Sequence, residues 1–69
     1  MDRVDAIGII YAKAQPSLPE YEAYQRARFA DDAAAQKAAL SGLKARYRAN
    51  ADAVERACDF LLAEGARWQ

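Results

Sequence analysis

Cys58 is the only thiol in the chain and its strongest candidate nucleophile. A reactive thiolate needs a nearby cation or a helix N-terminus to lower its pKa. Its charged neighbours Arg56 and Asp59 lie on different helical faces, and Cys58 itself falls beside an apolar stripe. That position predicts a buried, inert core cysteine. The chain has no histidine, so the commonest general acid–base group is missing. A structural zinc site needs about four Cys or His ligands, which this composition cannot supply. Asp31-Asp32 is the only adjacent pair of carboxylates. Helical neighbours point about 100° apart, so the pair reads as a helix cap or solvated pair and does not converge on one substrate atom. Gly8, Gly42 and Gly65 are too dispersed for a phosphate-cradling loop. The expectation is a protein without catalytic, cofactor-binding or metal-binding residues.

Phosphate contact is the other chemistry the residue types allow. Lys37, Lys44, Arg46 and Arg48 fall in a stretch without acids, with Tyr47 interleaved. On a helix, Lys37, Lys44 and Arg48 share a face that could touch a nucleic-acid backbone. Ala38 and Gly42 also have the A-x-x-x-G spacing of a helix-turn-helix, but Arg48 stands where that motif wants an apolar residue. Ten basic and ten acidic residues cancel, whereas a recognition unit usually sits in a basic chain. A solvated helix face is the favoured reading, and a small nucleic-acid-binding protein is the alternative.

The elements that must position these groups are helical. About a quarter of the positions are alanine, the best helix former. Asp2 is a candidate N-cap for a helix carrying Val4, Ile7, Tyr11 and Ala14 on one face, although Ile7-Gly8-Ile9-Ile10-Tyr11 also fits a short strand. Residues 1–14 are thus helix or strand, with helix favoured because a lone strand finds no partner in the chain. Pro16 breaks this segment. Ser17 and Glu20 have capping-box spacing, with Pro19 in the first turn, and predict a helix over 18–30.

Beyond Asp31-Asp32 the apolar pattern is long. Leu40, Tyr47, Val54, Leu61 and Trp68 recur every seven residues, with Leu43, Asn50 and Ala57 three after the first three of them. This is an a/d seam over about four heptads. Cys58 flanks it, Arg48, Asp52 and Arg56 would form an i,i+4 ladder, and Gly65 is placed to end the helix as its C′ residue. The pattern predicts one helix over 32–64, roughly 50 Å long. Ser41-Gly42 and Asn50-Asp52 are the two places where it could break. The expected fold is all-α, short helices followed by a long amphipathic C-terminal helix, with a compact small helical bundle as the alternative.

The 69 residues allow one small helical domain. No apolar run approaches the ~20 residues that cross a bilayer, and the start lacks the basic and apolar regions of a signal peptide. These features, with a single thiol, lead to an expected cytoplasmic location. Frequent alanine and more arginine than lysine hint at a GC-rich bacterial or phage genome, and a phage-encoded chain could belong to a virion.

A rod of this length leaves its seam under-covered by the preceding segments. The expected function is therefore a non-catalytic adaptor, assembly factor or inhibitor. It would bind another protein, or itself as a homo-oligomer, through Leu40, Leu43, Tyr47, Val54, Leu61 and Trp68.

Overall fold

Asp2 opens the first helix as its extended N-cap, and its Oδ1 accepts the Asp5 N–H at 2.8 Å. In the computed structural model, which describes residues 1–47 and 51–65 (the side chain of Ala51 excepted), this helix, α1, spans Arg3–Lys13. It settles the choice for residues 1–14 in favour of helix. Ala14 is extended, ahead of the helix-incompatible Gln15-Pro16 step.

The second helix, α2, spans Pro19–Phe29. Leu18 is its N-cap, in place of the expected Ser17, and makes no side-chain cap bond. Proline is the reason. Pro19 at N1 fixes its own φ and holds the preceding Leu18 extended, so the boundary falls immediately before the ring. The Leu18 carbonyl receives the N–H groups of Tyr21 and Glu22. Glu20, freed from a capping box, takes an ion pair with Arg46 at 2.9 Å.

At the end of α2 the Asp32 N–H donates to the Ala27 carbonyl and the Asp31 N–H to that of Arg28. This is the Schellman pattern, with Asp31 as the residue beyond the cap at φ 54°. Glycine holds that conformation without the Cβ penalty. Asp31→Gly is expected to raise stability by about 0.5–1 kcal/mol and Asp31→Val to lower it by more. Urea denaturation midpoints check this, and a more stable valine variant would contradict it.

Asp32 then caps the third helix, α3, which spans Ala33–Arg46; its Oδ1 accepts the Ala35 N–H at 3.0 Å. The helix runs through Ser41-Gly42. Gly42 marks a close approach: a Cβ there would lie 2.9 Å from Glu20 Cγ and would push that side chain aside. The fourth helix, α4, spans Ala51–Gly65, so Gly65 belongs to the helix and is not the residue beyond its end.

The expected continuous helix over 32–64 is corrected here. Tyr47 leaves helical geometry at φ −78°, ψ 128°, and the seam is divided between α3 and α4. A straight rod would expose one half of its apolar stripe to water. Breaking it lets both halves cover one core, and each fully buried Leu or Val contributes about 1.5–3 kcal/mol. Tyr47 supports the break from its new position, because its hydroxyl donates to the Lys13 carbonyl at the end of α1.

The four helices form the compact bundle. α2 packs on α3, α3 on α4, and α4 on α1. The core holds Ala6 and Ile10 from α1, Tyr24 from α2, Leu40 and Leu43 from α3, and Val54, Ala57, Cys58 and Leu61 from α4. The α4 set has i, i+3, i+4, i+7 spacing, one stripe of an amphipathic helix. Among the described residues there is no strand, and no helix is long and apolar enough to cross a membrane.

Candidate functional site

α1 is apolar on more than one side, and only one side is buried. Ala6, Ile10 and Ala14 follow i, i+4, i+8 spacing and face the core. At 100° per residue, Val4, Gly8 and Ala12 form a second i, i+4, i+8 line on the opposite side, and Met1, ahead of the helix, lines the same depression. Val4 is 78% exposed and Met1 58%. A Cβ built on Gly8 would meet nothing within 4 Å among the described residues. Half-buried Ile9 borders this strip. A shallow depression of about 540 Å³ runs along it, with Asp5 toward its N-terminal end and Lys13 at its C-terminal end.

A second feature fixes how α1 sits. Tyr11 reaches across to α2, its ring 5.6 Å from that of Tyr21 in an edge-on arrangement and 6.3 Å from that of Tyr24. Arg28 Nη1 donates to the Tyr11 hydroxyl at 2.7 Å, and the guanidinium lies 5.3 Å from the Tyr11 ring centre. These contacts clamp one flank of α1, and α4 covers its core face. The outer strip lies opposite the core face, with Val4 bordering the Tyr11 flank seven residues on and Ile9 bordering the other side. Phe29, at the end of α2, is the third large exposed apolar side chain at 80%, with the Arg28 guanidinium 6.0 Å from its ring.

The groups with chemical potential are held protonated in the core. Tyr24 is fully buried and its hydroxyl has no hydrogen-bond partner among the described residues. Burial pushes its pKa up to about 12, against the opposing pull of Arg28. Cys58 is also buried, as expected from its place beside the seam, and burial raises its thiol to about 11 with help from Asp59. Neither is a nucleophile near neutral pH. Among the described residues no group of three or more Cys, Asp or Glu side chains could hold a metal ion.

The structure places the sequence-derived candidates differently from expectation. Leu40, Leu43, Tyr47, Val54 and Leu61 are buried in the chain's own core. They do not offer a partner a surface, which corrects their assignment as an interface. Trp68 lies outside the described residues, as does Asn50.

The basic stripe is also rearranged. Lys44 Nζ pairs with Asp59 at 2.6 Å, which raises the Lys44 pKa, and Arg46 pairs with Glu20. Lys37 is half-buried, and Arg48 lies outside the described residues, and with it the start of the Arg48–Asp52–Arg56 ladder. Two of the cations offered to phosphate thus face carboxylates of neighbouring helices.

The outer strip of α1 is not evident from the sequence because Val4 reads as one face with Ile7, Tyr11 and Ala14. The signal that reveals it is apolar residues at Val4, Ile7, Ile9, Ile10 and Tyr11, which surround the helix axis. A helix apolar all round is normally covered on every side. Comparison with family models, with curated proteins and with solved structures finds no match to this chain.

Proposed function

We propose that this chain is a non-catalytic protein-interaction module of the adaptor, assembly-factor or inhibitor kind, and that its contact surface is the outer strip of α1. The observation that carries this reading is Val4, 78% exposed on an apolar helix face turned away from the core. Exposed apolar side chains scattered singly are ordinary. Here Met1, Val4, Gly8, Ile9 and Ala12 are contiguous, and contiguous apolar patches on a soluble chain mark contact sites. The bundle supplies a rigid backing, since α1 is held by α4 on one side and by the Tyr11–Arg28 contact on another. The surface thus moves from the heptad seam expected from sequence to a helix that the seam supports.

A photo-reactive side chain at Val4, introduced in the native cell, tests this. Cross-linked adducts are expected from Val4 and not from Gln25, an exposed polar position on α2. Equal labelling from both positions, or none from Val4, would overturn the reading.

A further inference from the structure

We infer that the partner of the α1 strip is a second copy of this chain, docked antiparallel, α1 against α1. The inference rests on the proposal that this strip is a contact surface, and adds the identity of its occupant. Charge complementarity selects it. Asp5 and Lys13 border the same depression, each four residues from Ile9, so the ridge Asp5–Ile9–Lys13 carries a negative end, an apolar middle and a positive end. The two charges stand about 12 Å apart along the axis. A twofold axis passing near Ile9 lays Asp5 of one copy beside Lys13 of the other, and the reverse pair forms at the other end. Residue i meets j and j meets i, as an isologous interface demands. Parallel docking would instead place Asp5 against Asp5 and Lys13 against Lys13.

The middle of the strip suits the same arrangement. Gly8 has open space above it, and Ala12 is one turn further on. Two small residues at i, i+4 let a second helix approach closely, with the bulk of Val4 from one copy falling just past Ala12 of the other. Met1, Val4 and Ile9 then leave water together, which supplies the non-directional part of the association. The charges fix direction and register.

Sedimentation analysis of the purified chain and its charge variants tests this. The wild type is expected at twice its 7.6 kDa chain mass. In a twofold interface every substitution counts twice, so Asp5→Lys and Lys13→Asp should each weaken the dimer roughly 10–100-fold. The Asp5→Lys, Lys13→Asp double variant regains opposite charges and should dimerise again. An equimolar mixture of the two single variants should form a heterodimer. Circular dichroism of each variant separates lost association from lost folding. A monomeric wild type, or single variants that dimerise like it, would overturn the inference.

The Val4 cross-link distinguishes this failure from that of the underlying reading. An adduct at twice the chain mass supports the homodimer. Adducts with other proteins alone exclude it and leave the contact surface standing. No adduct removes both.

Discussion

Val54→Asp is expected to unfold the chain, while Val4→Asp leaves the bundle folded. The two substitutions are chemically identical, and burial alone separates them: Val54 is buried in the core, and Val4 is 78% exposed. An aspartate at position 54 would be buried in the apolar core cluster, whose Ala57, Cys58 and Leu61 cannot pair with it. The unpaired carboxylate costs several kcal/mol to bury even after its pKa shifts. A chain of this length has roughly 3–10 kcal/mol of total stability, so a single such loss removes most of it. Leu61→Ala, a truncation in the same stripe, should cost about 3 kcal/mol and lower the melting temperature without abolishing the fold. Far-UV circular dichroism with thermal melting distinguishes the cases. A cooperatively folded Val54→Asp variant with wild-type helix content would mean that α4 does not pack through this face.

Alkali is expected to destabilise the protein in two overlapping steps. The Cys58 thiol rises from an ordinary 9.0 to about 11, and the Tyr24 hydroxyl from 10.0 to about 12, both chiefly through burial. For a neutral acid whose folded pKa is raised, the unfolded chain loses its proton first and binds fewer protons over the interval. Stability then falls as pH rises. The loss attributable to Cys58 begins near pH 9 and is complete above about 11; that of Tyr24 begins near pH 10 and is complete above about 12. A separation of this size corresponds to roughly 2–3 kcal/mol per group, enough together to unfold a small domain.

Tyr24→Phe should remove the upper step. It should also raise stability at neutral pH by about 1 kcal/mol, because the hydroxyl it deletes is buried without a partner among the described residues. Cys58→Ala should remove the lower step, at some cost from the cavity left behind. Urea denaturation midpoints between pH 7 and 12 give the measurement. Variant and wild-type curves that stay parallel throughout would exclude both groups as the source.

The sequence by itself determined the local structure well where a residue type acts on its own backbone. Asp2 caps α1 and Asp32 caps α3, each by a carboxylate reaching a free N–H three residues on. Pro16 ends the α1 region, and Pro19 opens α2. Alanine content and apolar spacing pointed to helix beyond residue 17 and favoured it over a short strand for residues 1–14, and the placing of Cys58 beside the apolar stripe anticipated its burial. These are short-range effects, decided within a turn or two of chain.

Tertiary structure decided which apolar faces meet each other. The heptad register of Leu40, Leu43, Tyr47, Val54 and Leu61 is the same for a long exposed rod and for two helices closing on one core, because periodicity specifies a face and not its partner. The closed form wins because it buries both halves of the stripe, and the Tyr47 hydroxyl finds the Lys13 carbonyl where that residue leaves helical geometry. That choice reverses the roles of two surfaces. The seam expected to face a partner becomes the core, and α1, expected to help cover the seam, keeps Val4, Gly8 and Ala12 on its own open side. It also turns Lys44 and Arg46 toward Asp59 and Glu20, pairs 15 and 26 residues apart, beyond the reach of any helical spacing rule. Apolar burial is non-directional, so only the assembled bundle could decide which of two apolar faces would be left for water.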